Sequence, residues 1–265
     1  MKTRTSLLLC PFIIASVLPG LAHAGVTLMP APGFQITWDG NDGAHFDPNP
    51  PPAGAVVPDN FALASNGATA FSSSDLGTQL GIPFHVAANL NDGFYGNSNS
   101  WISSDSDPGG APGEAGVLLP LPLNLTSIAF GRDNGNGAFD GSDPGTDACG
   151  GQCTDRSLGI YTLQFTLDSG TNWTTIGTLD YQSSDDTVLG GDFTSYFRHE
   201  YGVSLVGGAP IAANGVRILV PVIGIGGGTA IDEIEVYGTV IPEPSGAALA
   251  MIGIAGLALV RRRRR

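Results

Sequence analysis

From Pro58 onward, the chain carries short apolar and β-branched runs that are separated by clusters of Gly, Asn, Asp and Ser. The apolar residues of this region do not follow the 3.6-residue period of a helix. The pattern is typical of an all-β protein, and about 180 residues of it predict one antiparallel β-sandwich or barrel. The clearest predicted strands are 127–131, 160–168, 173–181, 215–223 and 230–238.

The last predicted strand, AIDEIEVYG, alternates between apolar and acidic residues. Ile234 and Val236 share one face of this strand, while Glu233 and Glu235 share the other. Earlier in the chain, DSGTNW predicts a tight hairpin connection in which Gly170 can adopt a positive φ. The pattern therefore predicts both a hairpin and a carboxylate pair on one side of the closing strand.

Residues 25–57 have a different texture, rich in Gly and Pro. The segment DPNPPPAG at 47–54 predicts a stiff, extended spacer, because proline restricts the backbone. A short strand from Phe34 to Trp38 is compatible with the pattern. We therefore predict a spacer at 25–57 and a folded domain at 58–238.

The N-terminus has the parts of a secretory signal peptide. Lys2 and Arg4 precede an apolar stretch, and AHA at 22–24 offers small residues at both positions that a signal peptidase requires. We predict a signal peptide at 1–24, with cleavage before Gly25. An uncleaved membrane helix is the alternative, although the apolar stretch is shorter than the ~20 residues of a span.

The C-terminus, IPEPSGAALAMIGIAGLALVRRRRR, combines three elements that do not belong to a globular core. A turn at Pro242-Glu243-Pro244 is followed by an apolar run at 246–260 and by five arginines. At ~1.5 Å per residue the run covers roughly 22 Å of a ~30 Å hydrocarbon layer, which makes a permanent span marginal. The arginines favour the cytoplasmic side, which leaves the prolines outside.

This three-part pattern resembles the PEP-CTERM sorting signal of Gram-negative, biofilm-forming bacteria. The resemblance implies a sorting tail at 239–265 that inserts transiently into the inner membrane. It also implies processing by an exosortase near the Pro-Glu-Pro motif, and delivery to the cell surface or extracellular matrix. A simple tail anchor is the alternative, and the predicted signal peptide disfavours a basic tail for nucleic acid.

Removal of both ends would leave a strongly acidic body. Four arginines and no lysine would remain, together with the acidic residues, of which the whole chain has 24. The net charge of the body would be about −20. Such a surface repels nucleic acid and anionic lipid and favours divalent cations. Cys149 and Cys153 predict a disulfide in an oxidising compartment, because a metal site would need two further Cys or His ligands and none is near in sequence.

Six segments of the body occur in an order that resembles a discoidin domain, also called F5/8 type C, of the galactose-binding-like superfamily. They are 60–74, 87–102, 115–134, 155–177, 215–219 and 231–238. The resemblance implies an antiparallel jelly-roll β-sandwich, in agreement with the strand pattern. It also implies that Trp101 and Trp173 pack in the core.

The loop NLNDGFYGNSNSW is rich in oxygen donors. A turn at Asp92-Gly93 can direct a carboxylate and backbone carbonyl groups inward, and Asn97 and Ser100 add further oxygen atoms, which calcium prefers. In many discoidin-like domains the corresponding loop and an acidic residue of the last strand bind structural calcium. The resemblance implies Asp92 and Glu233 as ligands here, with Glu235 as the alternative register, while a polar turn without metal remains open.

The segment FTSYFRHEY supplies Tyr196, Arg198 and His199 in one predicted loop. Sugar-binding surfaces combine exposed aromatic faces with a few polar groups, so these three are candidate ligand residues, and packing is the alternative. Catalysis has little support, because the sequence has neither a G-x-S-x-G elbow nor an H-E-x-x-H motif.

The sequence therefore predicts an exported, surface-sorted and non-enzymatic protein that binds carbohydrate, such as exopolysaccharide of a biofilm matrix. A passive structural surface or matrix protein without glycan binding is the alternative. A glycoside hydrolase is a third possibility, which would need two carboxylates facing each other across a cleft.

Overall fold

Paired β-strands hold more than half of the residues that the computed structural model describes, which are residues 21–23, 26–38, 60–93, 100–103, 113–131, 159–181, 199–221 and 229–242. The helical elements in these ranges are short: α1 spans Leu76–Leu80, and 3₁₀ turns span Ala64–Asn66 and Ala87–Asn91. The strands are β1 (Leu21–His23), β2 (Val26–Pro30), β3 (Phe34–Thr37), β4 (Thr69–Ser72), β5 (Trp101–Ile102), β6 (Gly113–Phe130), β7 (Gly159–Thr166), β8 (Thr174–Tyr181), β9 (His199–Leu205), β10 (Ile211–Val220), β11 (Ala230–Ile231) and β12 (Ile234–Val240).

The main sheet is antiparallel and runs in the order β1-β2-β8-β7-β10-β6-β9-β3, with β4 and β12 also paired to β6. The long strand β6 connects two layers. Its first part, 113–118, pairs with β4 and β10, and its second part, 123–130, pairs mainly with β9 and β12. Pro120 and Pro122 lie between the two parts, where the β10 register shifts, because proline cannot donate to a strand ladder.

The core lies between the two layers and is made by alternate residues of the strands. On the inner side, Ile36 of β3 lies directly over Gly177 of β8, so close that a Cβ at Gly177 would stand 2.7 Å from Ile36 Cδ1. The strands bury a shared set of aliphatic side chains: Leu28, Leu125, Ile128, Leu163, Ile176, Leu179, Val203, Val216, Ile218, Ile234 and Val236. Each such side chain contributes about 1.5–3 kcal/mol through its removal from water.

The predicted all-β sandwich is confirmed. Strands β6, β7, β8 and β10 cover most of the segments that the sequence pattern indicated. The last predicted strand, 230–238, is instead divided into β11, which pairs with β5, and β12, which pairs with β6. The division falls at Asp232 and Glu233, whose backbone groups exchange hydrogen bonds with Gly131.

The predicted spacer at 25–57 requires a correction over 26–38. Strand β2 pairs with β8, and β3 pairs with β9, so the sandwich starts before residue 58. The physical reason is that Val26, Leu28 and Ile36 alternate with polar or exposed residues and are buried in the core. The Pro-rich segment 47–54 lies outside the described residues.

Strand β1 overlaps the end of the predicted signal peptide and pairs with β2. The predicted cleavage before Gly25 stays a prediction, and it would detach β1 and leave β2 at the edge of the sheet. Within the described ranges, no helix combines the length and apolar character needed to cross a membrane. The predicted tail helix at 246–260 lies outside these ranges.

Candidate functional sites at the loop end

The loop end is defined here as the end of the sandwich at which β3, β6 and β8 finish and β7 and β9 begin. The cross-strand pairs of Phe130 with His199 and of Gly159 with Tyr181 lie at this end. The described chain stops at Trp38, Gly131 and Tyr181 and resumes at Gly159 and His199, so three long connections start or finish here. Loops at one end of a rigid sandwich are common positions for binding residues.

An aromatic cluster fills the interior at the loop end. Phe130, Tyr161, Tyr181 and Tyr201 are all buried, and the ring centroids of Tyr161 and Tyr181 are 5.3 Å apart in an edge-to-face arrangement. Phe130 lies 5.6 Å from Tyr161 and 6.2 Å from Tyr201. The hydroxyl groups of Tyr181 and Tyr201 form a direct hydrogen bond, which joins the two layers. The cluster is therefore a rigid base beneath the surface of this end.

Trp38 and His199 cover this base and are themselves half-buried. Their ring centroids are 4.7 Å apart with an interplanar angle of 32°. His199 Nδ1 is 3.3 Å from the Tyr201 hydroxyl, and the His199 ring lies 5.7 Å from that of Tyr181. The pair results from the pairing of β3 with β9, which brings the end of one strand beside the start of the other. A flat indole beside an imidazole can contact both the apolar face and a hydroxyl group of a sugar.

Of the three predicted ligand residues, the structure describes His199, and it places His199 in this aromatic pair. Tyr196 and Arg198 lie outside the described residues. Sequence reasoning missed Trp38, since it treated the segment around it as part of a spacer. The available signal was a tryptophan at the end of an alternating apolar run, next to the aspartate and glycine residues of a connection.

A second site at the loop end is a buried group of carboxylates around Glu233. Glu233 is fully buried, and its Oε2 accepts a hydrogen bond of 3.1 Å from the Gly93 backbone N–H. Burial raises the pKa of Glu233 well above its ordinary value, and the nearby charges of Asp92 and Glu235 raise it further. Within the described part of the chain, Glu233 Oε1 has no hydrogen-bond partner. The site thus holds an unsatisfied carboxylate oxygen among like charges.

Of the residues predicted as calcium ligands, Asp92 and Glu235 lie near enough to Glu233 for their charges to act on it. The Tyr237 hydroxyl donates a 2.5 Å hydrogen bond to Glu235 Oε2, and Asp92 ends the 3₁₀ turn at Ala87–Asn91. Asn97 lies outside the described residues. Among those that are described, no group of three or more His, Cys, Asp or Glu side chains is arranged to hold a metal ion. Hard carboxylate oxygens and one unpartnered buried oxygen nevertheless suit calcium chemically.

The two tryptophans assigned to the core differ from each other. Trp101 is fully buried, and its indole N–H donates a 2.9 Å hydrogen bond to the Ser74 carbonyl oxygen. Trp173 is only half-buried and stacks against Arg217, whose guanidinium carbon lies 4.5 Å from the ring centroid. Arg217 also donates to Gln164 and forms an ion pair with Glu114. Trp173 is thus corrected to an outer-surface residue, because it precedes β8 and stacks on Arg217 of β10.

The remaining predicted residues lie at the margins of what the structure describes. Pro242 is the last described residue of the sorting motif, and Glu243 and Pro244 fall outside. Cys149 and Cys153 also fall outside, so their disulfide stays a prediction.

No protein-family model matches the chain, and no curated protein matches it. Solved structures that it resembles include the C-terminal domain of a chitobiase from Bacteroides fragilis, with 20% identity over 68% of this chain and 99% of that chain, and a TM-score of 0.44. Another is chitosan-binding module 1 of a chitosanase/glucanase from Paenibacillus sp., with 21% identity, 68% and 98% coverage, and a TM-score of 0.43.

A third is the family 32 carbohydrate-binding module of Streptococcus pneumoniae EndoD, with 13% identity, 68% and 99% coverage, and a TM-score of 0.43. The sandwich assignment rests on the strand pairing of this chain, and the binding hypothesis rests on its loop end.

Proposed function

We propose that this protein is an exported, surface-sorted and non-enzymatic protein that binds carbohydrate at its loop end, over Trp38 and His199. The observation that carries the proposal is the stacked Trp38–His199 pair, with centroids 4.7 Å apart, on a buried base of tyrosines. The Trp38 indole is half-buried, and its packing against His199 and Tyr201 fixes its position. Such a preorganised aromatic surface binds a sugar ring with little loss of side-chain entropy.

Charge narrows the class of glycan. The predicted mature body carries a net charge of about −20, and this field repels polyanions. The proposed ligand is therefore a neutral polysaccharide or one that carries amino sugars, and an acidic polysaccharide is disfavoured. Exopolysaccharide of the producer's own matrix is the proposed source.

Calcium is proposed as a structural ion at the Glu233 group. The support is the unpartnered, buried Glu233 Oε1 and the like charges that surround it. Asp92 and Glu233 would supply carboxylate oxygens, with Asn97 from the adjacent loop, and Glu235 would be the alternative to Glu233. A divalent cation would neutralise carboxylates that otherwise have to take up a proton on burial.

Sorting is proposed from the two ends of the chain. A signal peptide would export the chain, and the apolar tail would hold it briefly in the inner membrane of a Gram-negative bacterium. An exosortase-type enzyme would then process the tail near Pro242-Glu243-Pro244. The final location would be the cell surface or the extracellular matrix.

Affinity electrophoresis tests the binding proposal. The protein is run through native gels that contain a neutral polysaccharide, a polysaccharide with amino sugars, or an acidic one, and Trp38→Ala is run beside it. We expect retardation of the wild type by at least one of the first two gels, and its loss in the variant. A folded wild type that migrates freely in all three gels would instead support the passive structural alternative.

A further inference from the structure

The end of the sandwich opposite the loop end is formed by tight connections, and it is called the turn end here. It comprises residues 31–33, 119–122, 167–172, 205–210 and the end of β12. The Val206 backbone N–H donates a 2.9 Å hydrogen bond to the Gly33 carbonyl, and Phe34 stacks edge-on against Phe165 at 5.8 Å. The Ile241 N–H donates a 2.9 Å hydrogen bond to the Pro122 carbonyl, which fixes the last described residues at the same end.

The turn end is apolar and poor in charge. Val206 is 65% exposed and Leu167 is 58% exposed, and three further large apolar side chains of this end are also exposed: Leu121, Leu205 and Val240. The turn-end segments contain one charged residue, Asp168. Hydrogen bonds from Asn172 and Thr166 lower the pKa of Asp168 to about 2, so this exposed carboxylate is ionised while its oxygen atoms accept hydrogen bonds within its own turn. An exposed apolar surface of this kind is typical of a contact site, and the low charge of this one favours a partner that is itself uncharged or apolar.

The chain leaves the sandwich at the turn end. Strand β12 finishes at Val240, and Ile241 is tied to Pro122. Three residues, 243–245, separate Pro242 from the apolar run at 246–260. At ~3.5 Å per residue they reach at most roughly 14 Å, so a tail inserted in a bilayer would keep the turn end close to the lipid.

We propose that the turn end rests on the outer surface of the membrane that holds the tail, with Leu121, Leu167 and Val206 in the headgroup region. The proposal depends on the membrane insertion that the proposed function assigns to the tail. In this orientation the loop end, with Trp38 and His199, faces away from the membrane and is accessible to glycan before processing. A few apolar side chains give only weak and reversible membrane binding, so cleavage of the tail would release the domain.

Strand β7 offers a matched pair of positions for the test. Leu167 lies at the turn end and Ile160 at the loop end, both side chains are at least half exposed (58% and 50%), and seven residues at ~3.3 Å separate them by about 23 Å. Full chains with Leu167→Cys or Ile160→Cys, and with the native cysteines replaced by serine, are labelled with an environment-sensitive fluorophore. They are reconstituted into phosphatidylcholine vesicles with or without a headgroup spin-labelled lipid, which quenches nearby fluorophores.

We expect the label at position 167 to shift to shorter emission wavelength and to be quenched by the spin-labelled lipid, while the label at position 160 shows neither effect. Equal quenching at both positions, in chains that float with the vesicles, would overturn the orientation and leave tail insertion intact. Energy transfer between labelled chains without lipid quenching would mean that a second copy covers the turn end, which would also overturn it.

Flotation separates this proposal from the function it depends on. A chain that ends at Pro242 serves as the control, and we expect it to remain unbound while the full chain floats. If the full chain does not float, or if the shortened chain floats equally well, tail insertion fails and the proposed orientation fails with it. Glycan binding by the loop end is measured separately and does not depend on either result.

Discussion

Replacement of Glu233 by glutamine tests whether the buried carboxylate group requires a cation. Glutamine has nearly the same shape and can still accept the hydrogen bond from the Gly93 N–H. It removes the charge that burial and the neighbouring Asp92 and Glu235 disfavour. The variant should therefore fold, lose its response to calcium, and lose the pH dependence that Glu233 causes.

The direction of the pH dependence follows from the raised pKa of Glu233. In the absence of calcium, the folded protein retains a proton on Glu233 that the unfolded chain releases above its ordinary pKa of 4.5. The free energy of unfolding should then fall as the pH rises from 4.5 through the raised pKa of the folded state. Calcium bound at the proposed site would take the place of this proton, so we expect it to bind more tightly as the pH rises.

The size of the calcium effect follows from mass action. Calcium at 100 times its dissociation constant adds about 2.7 kcal/mol to the free energy of unfolding. For a domain of roughly 150–250 residues, each kcal/mol moves Tm by about 2–4 °C, which gives an increase of about 5–11 °C. We expect the wild type to show this increase at neutral pH and Glu233→Gln to show little of it.

Differential scanning calorimetry with calcium or with chelator, between about pH 5 and 8, measures both effects. Asp180→Asn is a suitable control, because it removes a half-buried carboxylate from β8, outside the Glu233 group. The control should keep the calcium response of the wild type. A full calcium response in Glu233→Gln would exclude Glu233 as a calcium ligand. A metal-free wild type whose Tm does not fall with rising pH would exclude a raised pKa of Glu233 in the folded state.

Three further predictions concern the interior and the two ends of the chain. Tyr181→Phe and Tyr201→Phe should each lower the free energy of unfolding by about 1–3 kcal/mol, measured by urea unfolding. The double variant should lose less than the sum of the two, because both changes remove the same hydrogen bond between hydroxyl groups. Strictly additive losses would contradict this. Asn60→Ala should lower the free energy of unfolding by roughly 2–5 kcal/mol in the same assay, because Asn60 Oδ1 accepts hydrogen bonds from two buried backbone N–H groups. A much smaller loss would contradict this role of Asn60. The intact mass of protein from producing cells should fit a chain from Gly25 to near Pro244, and a chain that retains all five arginines would rule out processing.

The all-β fold could be predicted because strand periodicity is a local property of the sequence. The runs that became β7, β8 and β10 alternate clearly enough to be recognised one at a time. Strand β2 was missed, and the short strand from Phe34 to Trp38 was assigned to the spacer, because the Gly and Pro content around them outweighed four or five alternating residues. Their position is set by pairing with β8 and β9, which are more than 100 residues away in the chain.

The candidate sites also differ in how far they could be predicted from the sequence. The proximity of Asp92 to Glu233 could be predicted from the resemblance to discoidin domains. In the structure, the two residues are close enough for the charge of Asp92 to raise the pKa of Glu233. The stacking of Trp38 on His199 could not be anticipated, because it depends on the register of β3 against β9. Trp173 was misassigned for a related reason, since the outer position of its ring depends on Arg217 in β10.

Isothermal titration calorimetry with the producer's purified exopolysaccharide measures whether the loop end binds glycan. The wild type is compared with Trp38→Ala and with Trp173→Ala, which removes a half-buried tryptophan outside the loop end, each with calcium and with chelator. We expect saturable binding by the wild type and by Trp173→Ala, weaker binding in chelator, and at least about a tenfold loss of affinity in Trp38→Ala, equivalent to about 1.4 kcal/mol. A folded wild type that produces no binding heat, or equal affinity of both variants, would contradict this expectation.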